Sequence, residues 1–315
     1  MTKRLLVTLL ATPILIGMAQ TDFGPQLKYS DFDSWQVRNI KESFLIGGNV
    51  KQIYEIGNPD TINDNQPRRI GDSPWETSSS LIHAASVNKA STTVYPEKRG
   101  DGYCIRIESK LEEVKVIGVV NLKCLASGSV FTGHLIEPIE SSDNPMQYMM
   151  QGVPFTSKPR AIKFDYKAKV GGKREYRSVT KSYPLEGLNE AEISVVLQKR
   201  WEDETGQLHA KRVGTAYMRI KNSVNSWING FELPIKYGDI TKESDYQNYM
   251  GVDYEHYPYW GINSKGVRMQ IFEKEYANED EMPTHIIIRF SCGYGGAFCG
   301  SVGDKLWVDN LKIMY

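Results

Sequence analysis

The chain has 315 residues, 40% hydrophobic and 24% charged, an ordinary globular composition that excludes a disordered chain and argues against an integral membrane protein. Its 38 basic residues balance 38 acidic ones, so no global field draws a polyanion, and nucleic acid is not an expected partner. This length holds one large all-β domain or two small ones.

The first residues read as an export signal: Lys3 and Arg4 are the positive n-region, Leu5 to Ile16 an apolar run, and Gly17-Met18-Ala19 a small-x-small cleavage site. Cleavage is expected after Ala19, leaving a protein of the periplasm, the cell surface or the medium. The run is shorter than the ~20 apolar residues of a spanning helix, so no membrane span is expected. Residue 20 is Gln, not a lipidated cysteine. A polar lead over residues 20–30 precedes FDSWQV, where Phe32 and Trp35 open the first strand.

The stretch from Asn58 to Asp72 is rich in turn formers and reads as a surface loop. Trp75 follows in SPWETSSS, either a core plug at a sandwich edge or an exposed sugar platform. In GYCIRIES, Tyr103, Ile105 and Ile107 share one phase of a strand. KVIGVVNLKC, nearly continuously apolar, predicts a central strand covered on both faces. From Gly152 to Val170 the sequence GVPFTSKPRAIKFDYKAKV alternates strictly, with Ile162, Phe164, Tyr166, Ala168 and Val170 on one side and lysines and Asp165 on the other. That is a half-buried strand. Residues 191–220 predict a hairpin turning near Glu204-Thr205-Gly206, and Pro234 in FELPIKY predicts an edge strand. VRMQIF, HIIIRFS and the terminal GSVGDKLWVDNLKIMY supply further strands, with no helix longer than three turns. A β-sandwich is therefore expected, as one domain over residues 31–315.

Four cysteines fit an oxidising compartment without requiring bridges. Cys292 with Cys299, bracketing GYGGAF, and Cys104 with Cys124 are the natural local pairs, and free buried thiols are the alternative. No motif of a nucleophilic hydrolase, zinc protease or nucleotide-binding loop occurs.

Residues 238–283 depart from the strand rhythm. Within them Tyr246, Tyr249, Tyr254, Tyr257, Tyr259 and Trp260 crowd together with Asp253 and Glu255. Aromatic rings pack on the C–H faces of sugars and carboxylates accept from their hydroxyls, so this segment, with Trp75, is the expected carbohydrate platform. Asp253 and Glu255, spaced i,i+2, are the candidate carboxylate pair if the protein is a glycoside hydrolase, with Asp239, Glu243 and Asp245 just upstream. Otherwise these tyrosines fill a satellite core beneath a long loop. In the closing strand Asp309 shares a phase with Trp307, Leu311 and Ile313, so it must be bulged outward, hydrogen-bonded or paired with a cation.

FTGHL at 131–135, GVPFTSKPRAIKFDYKAK at 152–169 and GSVGDKLWVDNLKIMY at 300–315 together resemble the putative carbohydrate metabolism domain of exported proteins from glycan-degrading gut bacteria. The resemblance implies a jelly-roll sandwich, galactose-binding-like or like a carbohydrate-binding module, an oligo- or polysaccharide partner, and an insertion at 238–283. It implies no established reaction and no required cofactor. Such sandwiches often hold a structural Ca²⁺ where first and last strands meet, which would make Asp31, Asp33 and Asp309 its ligands. Glycan binding is the leading expectation; a glycoside hydrolase and a surface adhesion module are the rivals.

Overall fold

The computed structural model of the protein describes residues 24–68, 71–84, 86–116, 120–252 and 258–315. The expected export signal, and Asp253, Tyr254, Glu255 and Tyr257, lie outside the described residues. Everything described is β-structure joined by loops and three single 3-10 turns.

Two sheets pack face to face. One has five strands, ordered 224–234, 161–169, 305–314, 102–108 and 94–99. The strand Ala161–Lys169 sits second, and the alternation of its sequence is its function: Ile162, Phe164, Tyr166 and Ala168 all enter the core. The strand carrying Pro234 is at the edge, where a missing N–H costs nothing. Facing it, the larger ten-stranded sheet contributes Ile193, Val195 and Leu197 from one hairpin arm, Val213 and Ala216 from the other, and Ile286, Ile288 and Phe290 from His285–Ser291. The expected hairpin is present as Ala191–Glu202 and Leu208–Ile220, its turn held by Asp203 Oδ1, which accepts from the Thr205 and Gln207 N–H groups.

Trp75 is a core plug. It is fully buried between Phe32 and Phe290, and its indole N–H donates to the Lys28 carbonyl. It cannot meet a sugar. KVIGVVNLKC is not central either: Lys110–Val116 and Val120–Ala126 pair only with each other, and Leu122 and Leu125 spend their apolar surface on a cavity beside the sandwich.

Asp309 meets all the conditions that its phase imposed. Leu306 and Val308 point into the core before it and Leu311 and Ile313 after it, so the inward phase slips by one residue. Asn310 absorbs the slip with φ of +51°, a left-handed backbone that asparagine tolerates. Asp309 lies directly across the ladder from Asp165, and two facing carboxylates repel unless a cation joins them. Arg99 does so: its Nη1 is 2.8 Å from Asp165 Oδ2 and 2.5 Å from Asp309 Oδ2, its Nη2 donates to Asn229, and its plane stacks on Trp227. Burial works against the charge of Asp165, but hydrogen bonds from Asn310 and Gly230 and the Arg99 guanidinium hold its pKa below the usual carboxylate value; burial lifts that of Asp309 above it. Asp31, Asp33 and Asp309 do not gather, and among the described residues no three His, Cys, Asp or Glu side chains do. Asp33 instead accepts from the Tyr103 N–H. The cation beside Asp309 is the Arg99 guanidinium.

All four cysteines are free thiols. Cys292 is fully buried, 3.1 Å from Ser109 Oγ, and burial pushes its pKa up to about 11; Cys104 is pushed up to about 12. Neither expected bridge is formed.

Two outcomes follow. Thiol titration of the unfolded, unreduced protein should return four thiols, whereas two would restore a bridge. Arg99→Met should cost roughly 3 kcal/mol in urea unfolding at pH 7, since it leaves two buried carboxylates unpaired. The deficit should shrink as pH falls toward 3, because both then protonate; a deficit independent of pH would contradict the pairing.

Candidate functional site

The larger sheet closes on itself. From His285–Ser291 the pairing runs through 191–202, 208–220, 268–276, 259–262, 149–151 and 129–135, and residues 129–131 of the last strand pair back with 289–291. Seven strands thus form a ring. Side chains opposite the sandwich core point into it, and contacts span it: Arg200 Nη2 donates to the Gln151 carbonyl, and the hydroxyls of Tyr217 and Tyr259 lie 3.5 Å apart. Gly152 permits the first contact, since its φ is +97° and a Cβ there would sit 2.5 Å from the Arg200 guanidinium.

A small ring has room only for its own side chains, so buried polar ones must satisfy each other. In the middle, Arg212 Nε and Nη2 grip both oxygens of Glu273 at 2.9 and 2.5 Å, and Gln198 donates to the same carboxylate. The remaining Arg212 nitrogen, Nη1, reaches the carbonyl of Met250 at 3.2 Å. This buried arginine therefore ties the tyrosine-rich segment to the ring.

At one end of the ring Glu192 lies between two arginines. Directly opposite on the neighbouring strand, Arg219 Nη2 approaches it to 2.8 Å, and Arg289 Nη2 bonds its other oxygen. The Arg219 plane stacks 3.6 Å from the centre of Tyr249 and 4.1 Å from that of Tyr294. Glu192, Arg219, Arg289 and Tyr249, together with Tyr217, Tyr259, Gln151 and Ser194, line a narrow cleft of about 70 Å³. Burial pushes the Tyr259 hydroxyl far above its ordinary pKa and raises that of Tyr249, so both remain neutral donors at any physiological pH. Arg289 Nε–H is buried here without an acceptor. The cleft opens beside a cavity of about 670 Å³, with Met146, Arg289 and Gly296 on the wall of both.

The expected platform is thus divided. Tyr249 and Tyr259 are in the cleft. Trp260, the next residue along the strand Tyr259–Ile262, faces the other way, as alternation requires. Tyr246 packs against the Asn248–Met250 turn, where a Cβ on Gly251 would meet its hydroxyl. Upstream, Glu243 and Asp245 are both held by Lys236, and Asp239 accepts from the Thr241 N–H. The Thr241 bond lowers the pKa of Asp239 and the Lys236 bond that of Asp245, the wrong direction for a general acid. The polar half of the cleft, Glu192, Arg219 and Arg289, comes from strands whose outward phase looks like ordinary solvent-facing sequence. Only the charges set opposite one another across a hairpin marked it.

The fold and the matched sequence agree on the class. The description "putative carbohydrate metabolism domain" matches residues 31–314, and the chain belongs to that family. It is a carbohydrate-related all-β protein. No curated protein matched it. Among solved structures it is similar to a putative glycoside hydrolase from Bacteroides thetaiotaomicron VPI-5482, with a TM-score of 0.50 and 14% identity over 94% of this chain and 72% of that one. A putative glycoside hydrolase from Bacteroides vulgatus ATCC 8482 aligns with a TM-score of 0.42 and 16% identity over 82% of this chain and 80% of that one.

Replacing Arg212 with Met should leave Glu273 buried and unpaired and release the carbonyl of Met250. A stability loss of roughly 3 kcal/mol is expected. Limited proteolysis should then cut first between residues 248 and 258; an unchanged cleavage pattern would show that this segment is anchored elsewhere.

Proposed function

We propose that the protein binds a glycan at the cleft between Tyr217, Tyr249, Tyr259 and Arg289, as an exported accessory of polysaccharide capture. One observation carries this reading: aromatic rings stand beside a fixed guanidinium whose buried N–H has no acceptor within the protein. An unpaired buried donor costs free energy, and a sugar hydroxyl would supply the missing oxygen while its ring covers the tyrosines. At about 70 Å³ the cleft takes the edge or a substituent of one sugar, and the rest of the glycan lies across the insertion. The export signal expected at residues 1–19 and the membership of a carbohydrate-related family are in keeping with this role.

Binding is favoured over hydrolysis because Glu192, the carboxylate of the cleft, is clamped by two arginines, as suits a fixed acceptor and not a proton donor. The similar solved structure from Bacteroides thetaiotaomicron carries the name of a putative glycoside hydrolase, so hydrolysis through Asp253 and Glu255 is the alternative to be tested.

The test is an array of plant, host and microbial glycans, followed by titration of the best ligand. Tyr249→Ala should weaken binding about tenfold or more, the loss expected for one stacking ring and its hydrogen bond, with the melting temperature little changed. Absence of binding across the array would reject the proposal. Release of reducing sugar that disappears with Asp253→Asn or Glu255→Gln would establish the hydrolase reading instead, and binding to a protein partner alone would make this an adhesion module.

A further inference from the structure

The cavity beside the cleft has a chemistry that a sugar does not explain. Its volume, about 670 Å³, is that of a small-molecule site, and its walls carry the aliphatic side chains of Leu122, Leu125, Leu135, Ile139, Met146 and Met149. Polar groups are present too, and several of them are paired within the protein. Lys89 Nζ is 3.1 Å from Glu112, Ser91 Oγ donates to the same carboxylate, Ser78 and Thr93 share a hydrogen bond at 2.9 Å, and Ser291 donates to the Gly293 carbonyl. Burial opposes the charge of Glu112, but Lys110 and Lys89 together hold it ionised. Among the described lining residues, the buried side-chain nitrogen or oxygen left without a partner is Arg289 Nε, at the end shared with the cleft. The apolar lining also reaches the surface. Leu45, one of its residues, is 59% exposed, and the adjacent Phe44 is 91% exposed, an arrangement that costs solvation unless something apolar passes over it.

We propose that this cavity takes the unbranched aliphatic chain of a single-chain amphiphile. Flexible methionines and leucines along the walls suit a chain without fixed shape, and the paired hydroxyls ask nothing of it. Apart from Arg289, Met146 and Gly296 the residues concerned do not line the cleft, so the inference stands or falls independently of glycan binding.

The experiment titrates the fluorescent fatty acid cis-parinaric acid into the full chain lacking residues 1–19. Saturable binding of one probe per chain is expected, with displacement by saturated fatty acids whose affinity rises with chain length from octanoate and then levels off as the cavity fills. Ala297→Trp and Ala126→Trp each place an indole on the cavity wall. Excluding two methylenes should weaken binding about tenfold, with circular dichroism unchanged. No saturable binding, or binding that the folded tryptophan variants leave intact, would overturn the proposal. Should both variants misfold, the chain-length series on the unaltered protein decides: equal displacement by octanoate and hexadecanoate would overturn it equally.

Discussion

Glu192 carries one negative charge between Arg219 and Arg289 at the end of a closed ring, and the cleft is arranged around that neutralised carboxylate. Two guanidiniums on the strands that flank its own would repel each other if it were absent. With it, Arg219 lies flat against Tyr249 and Tyr294, while Arg289 keeps one N–H free of internal partners. The same requirement repeats deeper in the ring, where Arg212 and Glu273 neutralise each other and fix the loop that brings Tyr249 to the cleft. Removing charges from water is costly, so pairs of this kind contribute less to net stability than to holding one arrangement.

The sandwich beneath rests on a related device. Facing carboxylates at Asp165 and Asp309 would open the centre of the five-stranded sheet, and Arg99 closes it from the end of the edge strand 94–99, two places from the strand of Asp309. The bulge at Asn310 turns Asp309 out of the core phase so that the pairing can form without burying a charge among leucines. Sheet geometry and electrostatics are settled together at this point.

What the sequence discloses follows from how local the cause is. The strict alternation from Ile162 to Val170, the hairpin over 191–220 and the edge position of Pro234 depend on neighbours a few residues away, and all three are found. Asp309 was legible as an anomaly, and the cation that resolves it was not, because Arg99 is 210 residues distant. Ring closure depends on residues 129–131 meeting 289–291, a pairing with no local signature. Residues facing into the ring, such as Gln198, Arg212 and Glu273, alternate with apolar neighbours as solvent-facing residues do, so the interior of the ring and the surface read alike. Crowded tyrosines pointed to the segment that brings Tyr249 and Tyr259 to the cleft. They did not reveal that alternation sends Tyr259 and Trp260 to opposite faces. Nor does a run of apolar residues say whether it lines a core or a cavity, which is why Leu122 and Leu125 were misplaced.

The central claim is that the polar end of the ring is a carbohydrate site, and its most direct test is a crystal structure of the protein soaked with the best glycan ligand. The account predicts a sugar hydroxyl within hydrogen-bond distance of Arg289 Nε and a pyranose face against Tyr249 or Tyr259. A sugar bound elsewhere, with Arg289 Nε unchanged, would contradict it.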